Sequence, residues 1–252
     1  MADFQKKSMT SFNSKKWILI ADSHLTGDQN TRTFFHFLDY IHHLPNDTGV
    51  VFLGDIFDLW IALPGYENPF QKEFAEWSTK EKEIRSIVFL EGNHEFFVQR
   101  TRKHSFSACA RKTYQIGQVM FAHGDLINPK DIPYFLLYYG LRNPIPRLIM
   151  RVFGFITGPA IAKFIREFLK NKNMKNKVHF PEQEIRRAMS NLPEQVKMLV
   201  CGHFHSHHVI QVQNRRVEII PAFMNAGEYA VLDEESSGIE LKTWRDSAGF
   251  QA

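Results

Sequence analysis

Five short clusters in the 252-residue chain bring together residue types that ligate metals: Asp22-Ser23-His24, Gly54-Asp55-Ile56-Phe57-Asp58, Gly92-Asn93-His94-Glu95, His123-Gly124-Asp125 and Gly202-His203-Phe204-His205. Carboxylate, imidazole and carboxamide donors with no thiolate suit borderline-hard divalent ions such as Mn²⁺, Fe²⁺ or Zn²⁺. Asp22 and His24 are two residues apart, as are His203 and His205. On an extended strand end that spacing points both side chains of a pair the same way. A carboxylate such as Asp55 can bridge two ions about 3.5 to 4 Å apart, the separation used in two-metal hydrolysis. Gly54, Gly92, Gly124 and Gly202 permit tight turns and close approach of backbone to such a centre.

Singly, these motifs say little. A lone His-Gly-Asp is more often a turn than a site, and His207-His208 reads as surface. Gly-Asn-His-Glu is more specific. What carries weight is that each cluster follows a short apolar run: Trp17-Ile18-Leu19-Ile20, Val50-Val51-Phe52-Leu53, Ile87-Val88-Phe89-Leu90, Val119-Met120-Phe121-Ala122 and Met198-Leu199-Val200-Cys201. Runs with so little alternation read as strands buried on both faces. In open α/β sheets, sites gather outside the carboxyl ends of the strands. Five strands therefore deliver their polar clusters to one edge.

Helical patterns lie between the runs. From Thr33 to His43, Phe34, Phe37, Leu38 and Ile41 recur at three- and four-residue spacings on one face. Strand alternating with helix predicts an α/β layered domain. Towards the C-terminus, Val217-Glu218-Ile219-Ile220 and Ile239-Glu240-Leu241 are further strand candidates that extend or cover the sheet.

From Ile132 to Lys177 the pattern turns bulky, apolar and basic, and Pro133, Pro144, Pro146 and Pro159 are expected to break it into short helices. Nine basic residues and one acid lie between Arg142 and Lys177, against +4 for the whole chain, so a basic segment is grafted onto an acidic body. Lys163, Arg166 and Lys170 fall at helical spacing among Phe164, Ile165, Phe168 and Leu169. A basic, apolar helix suits an anionic membrane surface, and a groove for acyl chains uses the same composition. The plainer reading makes these aromatics the core of the insertion itself.

Residues 1–14 read as a flexible tail and 15–252 as one catalytic domain with a helical insertion, or lid, over about 128–192. The first residues lack the apolar core of a secretory signal, which puts the chain on the cytoplasmic side. Cys109 and Cys201 make neither a disulfide framework nor a CxxC site, consistent with a reducing compartment. No stretch reaches the roughly 18 to 20 uninterrupted apolar residues of a spanning helix.

The ordered set of clusters resembles the calcineurin-like metallophosphoesterase superfamily. That resemblance implies a two-sheet β-sandwich flanked by helices, with two divalent ions at one edge and Mn²⁺ the expected metal. It implies that Asp22, His24, Asp55 and His205 hold one ion, and that Asp55, Asn93, His123 and His203 hold the other. His94 matches the family's catalytic histidine, with Asn93 beside it. On that resemblance two dications would acidify a shared water, supplying a hydroxide that would attack phosphorus in line with the leaving group. A protonated His94 stabilises the developing charge or protonates the departing oxygen.

Within the superfamily the chain is most similar to the UDP-2,3-diacylglucosamine pyrophosphatases of lipid A synthesis, through Ile20-Ala21-Asp22-Ser23-His24-Leu25, the run Gly54 to Ile61, Asn68-Pro69 and the length of the insertion. This implies cleavage of the diphosphate of a UDP-linked, twice-acylated sugar by an enzyme held peripherally on the cytoplasmic face of the inner membrane. Asp131, Tyr134, Arg166, Lys170 and Asn173 are the implied substrate contacts. The chain departs from that subfamily where His94-Glu95 replaces Arg-Asp, Ser206-His207 replaces Arg-Pro, and Leu169 stands in place of a hydroxyl residue. The alternative is another metal-dependent phosphodiesterase or a nuclease, whose basic segment would track a nucleic-acid backbone; nucleic acid is the less favoured partner. A non-catalytic scaffold predicts a broken ligand set, and here every ligand position is filled. The sequence names no protein partner.

Overall fold

The computed structural model describes residues 14–127, 139–176 and 180–244. Each of the five apolar runs is a strand. Lys16–Ile20 (β1), Thr48–Phe52 (β2) and Ile87–Leu90 (β4) lie parallel in a six-stranded sheet. Val119–Ala122 (β8) and Met198–Cys201 (β9) lie parallel in a five-stranded sheet. The first sheet is completed by Ala108–Ala110 (β6) and by Glu228–Asp233 (β12) and Gly238–Thr243 (β13), in the order β13-β12-β1-β2-β4-β6. The second adds Thr113–Ile116 (β7), His208–Val212 (β10) and Arg215–Ile219 (β11), in the order β10-β11-β9-β8-β7. A third, two-stranded sheet pairs Trp60–Ile61 (β3) with Glu95–Phe96 (β5). Both C-terminal strand candidates are therefore present, as β11 and β13, and both extend a sheet.

The absence of alternation in the runs has a direct cause. Trp17, Leu19, Val51, Leu53, Val88 and Leu90 face the second sheet and meet Val119, Phe121, Met198 and Val200 in the inter-sheet core. Their neighbours Ile18, Ile20, Val50, Phe52, Ile87 and Phe89 face the opposite way, onto helices. Those helices are Gln29–His42 (α1) and Pro69–Glu81 (α2). The layers are helix, sheet, sheet, helix, with Glu182–Ser190 (α5) covering the outer face of the second sheet through Ile185 and Met189.

Helix α1 starts one turn before the expected Thr33, because the Asp28 carboxylate accepts from the amides of Asn30 and Thr31 and caps the helix there. The predicted face of Phe34, Phe37, Leu38 and Ile41 is buried. Asn68 and Gln71 form a capping box at the start of α2, with Pro69 at the first helical position. The Gln71 amide then donates to the Leu59 carbonyl at 2.7 Å, which ties the helix to the chain leaving the site.

The insertion differs from expectation. Between β8 and β9, Pro144–Asn176 (α4) is one helix of 33 residues, about 50 Å long, rather than several short ones. Val98–Thr101 (α3) and Phe223–Ala226 (α6) are single turns elsewhere in the chain. Pro144 and Pro146 sit in the first turn of α4, where a missing N–H costs nothing. Pro159 lies in the interior, and packing overrides its penalty of ~3 kcal/mol. Met150, Ile165 and Leu169 are buried against Leu59, Ile61, Leu63, Phe96 and Phe97. Gly154 and Gly158 let the helix lie directly on the Pro64–Tyr66 loop: a Cβ at Gly154 would stand 2.6 Å from the Tyr66 ring and 2.7 Å from the Pro64 carbonyl.

Gly154→Ala is expected to loosen this seat without unfolding the sandwich. Hydrogen exchange over residues 144–158 should rise by about tenfold or more, with global unfolding free energy changed by less than about 1 kcal/mol. Unchanged exchange would contradict the packing described.

Candidate metal centre

The carboxyl ends of β1, β2, β4, β8 and β9 converge, three from one sheet and two from the other. Backbone hydrogen bonds lace the loops beyond them: Asp22 N to the Gly54 carbonyl at 3.1 Å, His24 N to Asp55 at 3.0 Å, and Gly202 N to His123 at 3.0 Å. One expectation is corrected here. Asp22, His24, Asp55, His203 and His205 are not on extended strand ends but in the left-handed region, with φ of 52°, 44°, 53°, 71° and 58°. Each costs roughly 1 to 2 kcal/mol in a residue with a side chain. The sharp turns bring pairs from two sheets to one point, which straight strand ends could not do. Such strain at clustered polar residues is typical of functional centres.

Seven predicted residues meet at that point. Ligand atoms of Asp22, His24 and His205 lie within 4.8 Å of one another, and so do those of Asp55, His123 and His203. Asp55 Oδ2 stands between the two groups, 3.3 Å from His123 Nε2 and 3.9 Å from His24 Nε2. Asn93 Oδ1 lies 3.1 Å from His123 Nε2. Each aspartate gives one oxygen to a backbone amide and turns the other inward. Asp22 Oδ2 accepts from His203 N at 2.7 Å, and Asp55 Oδ1 from His94 N at 2.8 Å.

The imidazoles are oriented in the same manner. His123 Nδ1 donates to the Leu53 carbonyl at 2.8 Å, which frees Nε2 towards the centre. His94 Nδ1 donates to the Asp58 carbonyl, and its Nε2 is buried with no hydrogen-bond partner. Asp22 Oδ1 is likewise buried without a hydrogen bond, His205 Nε2 lying 3.5 Å off. Buried lone pairs left without a hydrogen bond at one centre fit a cation there.

Charge balance agrees. Burial and the nearby His94 push His24 down to about 4, and burial with His123 pushes His203 down to about 3, so both offer a neutral lone pair at pH 7. Burial opposes ionisation of Asp22 and Asp55, yet the surrounding imidazoles hold both carboxyls below their usual range. Burial also works against charge on His123, but Asp55, Asp22 and Asp125 raise it well above an ordinary histidine. That proton answers the charge of the two buried carboxylates, and a cation bound at Nε2 would take its place.

Glu95 has a structural part in the site that the motif alone did not reveal. Fully buried, it accepts at 2.8 Å from the amides of Asp55, Ile56 and Gly92. Three donors favour its charged form, but burial and the Asp55 charge prevail and push it up to about 8. Gly92 is obligatory beside it, since a Cβ there would fall 2.3 Å from Asp55 Oδ1. His207 is exposed, as expected, and its Nε2 donates to the buried Glu218 carboxylate at 2.8 Å, just beyond the turn that carries His203 and His205.

The expected substrate contacts are less complete. Arg166, on α4, pairs with Asp58 at 2.7 Å, beside His94. Lys170 and Asn173 follow on the same helix. Asp131 and Tyr134 lie outside the described residues, as does most of the expected tail.

A two-sheet sandwich whose strand ends converge on buried carboxylates, imidazoles and a carboxamide is the frame of a metal-dependent hydrolase. The chain belongs to the calcineurin-like phosphoesterase family, whose profile matches residues 16–207. A UDP-2,3-diacylglucosamine hydrolase of Pseudomonas fluorescens is 29% identical over 208 residues, covering 78% of this chain and 81% of its own. The protein of that name from Ectopseudomonas mendocina is 29% identical over 208 residues, covering 78% and 84%. That of Azotobacter vinelandii is 27% identical over 241 residues, covering 89% and 96%.

Glu95→Gln tests the brace. An amide NH₂ in this pocket must oppose at least one backbone N–H, so above about pH 8, where Glu95 is a carboxylate, stability should fall by about 1 to 3 kcal/mol in urea unfolding. Stability equal to the parent's would show that the three hydrogen bonds do not hold the turn.

Proposed function

We propose that the chain cleaves the diphosphate of UDP-2,3-diacylglucosamine, giving UMP and the diacylated sugar 1-phosphate, at the cytoplasmic face of the inner membrane as a step of lipid A synthesis. The observation that carries the chemistry is the single buried oxygen, Asp55 Oδ2, flanked by two separate ligand groups. The substrate is supported by the names and coverage of the relatives.

In this reading Asp22, His24, Asp55 and His205 hold one divalent ion, and Asp55, Asn93, His123 and His203 hold the other. Carboxylate and imidazole donors without thiolate admit Mn²⁺, the metal proposed, as well as Fe²⁺ or Zn²⁺. The ions, when bound, neutralise phosphoryl oxygens and acidify water near neutral pH. His94 acts beside them. Its Nδ1 is fixed on the Asp58 carbonyl, so Nε2 is aimed to contact a phosphoryl oxygen or give a proton to the leaving oxygen. Arg166 is half exposed and can exchange Asp58 for a phosphate of the substrate. Asp131, Tyr134, Lys170 and Asn173 are assigned to the same substrate surface.

Helix α4 supports a membrane-side location. Ile145, Leu148, Ile149, Val152, Phe153 and Ile156 form one stripe along three turns, each 50% to 83% exposed. These side chains are thus not the insertion's own core. Arg147 and Arg151 lie among them, and a stripe of this composition suits the interface of an anionic bilayer. No described helix is long and apolar enough to cross a membrane.

Mn²⁺-loaded protein should release UMP from UDP-2,3-diacylglucosamine and leave a non-acylated UDP-sugar, a cyclic nucleotide and single-stranded DNA intact. Asn93→Ala should abolish the release. Cleavage of the other diesters with the lipid untouched would keep the phosphoesterase and discard the substrate. Separately, joint replacement of Leu148, Val152 and Ile156 by serine should weaken binding to phosphatidylglycerol vesicles about tenfold or more, with turnover of the activated diester bis(4-nitrophenyl) phosphate retained. Equal vesicle binding would remove α4 from the membrane.

A further inference from the structure

Arg142 takes no part in the chemistry above, yet it is only 6% exposed. It ends the helical stretch at 139–142, just before α4, beside Leu141 on the apolar seat of the insertion. Its guanidinium reaches across to the turn that carries Asn93 and His94. Nη2 donates to the Glu95 carbonyl at 2.6 Å and lies 3.5 Å from the Gly92 carbonyl. Glu91 Oε2 is 3.8 Å away, and the guanidinium carbon sits 4.6 Å over the Phe96 ring.

The two carbonyls bracket Asn93 and His94. From the inner side, the Glu95 carboxylate holds the Gly92 amide and the Asp55 loop. From the outer side, the same turn is held by an arginine that belongs to the insertion. Burying a guanidinium costs several kcal/mol, and apolar packing would anchor a helix more cheaply. One nitrogen, Nη2, reaches both carbonyls while the delocalised guanidinium lies over the Phe96 ring, a ring contact that a compact, strongly hydrated lysine ammonium does not reproduce.

We propose that Arg142 is a positioning residue: it fixes the backbone of Asn93 and His94 so that the Asn93 oxygen and His94 Nε2 face the metal centre. Seating of the insertion and competence of the centre are thereby coupled through one side chain. This rests on the two-metal reading of the centre.

The test compares the parent with Arg142→Lys and Arg142→Gln, using Mn²⁺ calorimetry and a small soluble diester, bis(4-nitrophenyl) phosphate, that needs no acyl groove. Both variants should lose about 10- to 100-fold in kcat, with KM within about twofold, and should bind the weaker ion about tenfold less tightly. Unchanged kcat and ion affinity, with only Tm lowered, would reduce Arg142 to an anchor for the insertion and overturn the proposal. Should Arg142→Gln fail to fold, Phe96→Leu, which removes the ring beneath the guanidinium, carries the same comparison. Failure of the two-metal reading would show in the parent itself, as absence of Mn²⁺ binding, and would overturn the proposal with it.

Discussion

Two aspartates buried almost completely, Asp22 and Asp55, stand at the meeting point of two sheets, and the surrounding structure answers their charge. Carboxylates taken out of water cost several kcal/mol each unless positive charge or hydrogen bonds compensate. Here one oxygen of each is satisfied by a backbone amide, and the other is left to the imidazoles and to whatever cation they enclose. His123 keeps a proton for the same reason, while His24 and His203 are driven neutral. The site is therefore built so that metal binding relieves a stress already present in the fold.

Geometry and strain follow from that demand. Five of the seven converging residues adopt positive φ, a conformation that is affordable only if the surrounding loops leave no alternative. The cross-links between loops, the Glu95 brace and the close approach at Gly92 supply that constraint. The inter-sheet core fixes where the strand ends lie, so apolar residues far from the centre decide the position of every converging polar side chain.

Much of this was legible in the sequence, because the information was local. Continuous apolar runs give strands with both faces buried, and the clusters behind them give the polar residues that converge. The left-handed turns were not legible, since Asp22 and His24 carry no glycine signal and adopt φ above zero only under tertiary constraint. Nor was the continuity of α4, where packing of Gly154, Gly158, Ile165 and Leu169 on the sandwich outweighs the helix-breaking tendency of Pro159. Glu95, Glu218 and Arg142 escaped for a shared reason. Each acts on atoms distant in sequence or on backbone, and residue type alone does not announce a brace.

The central claim is that one carboxylate, Asp55, is shared by two ions. A crystal soaked in Mn²⁺ and measured for anomalous scattering tests it directly. The account predicts two peaks about 3.5 to 4 Å apart on either side of Asp55 Oδ2, one nearest Asp22, His24 and His205 and the other nearest Asn93, His123 and His203. A single peak, or two that do not share Asp55, would contradict it.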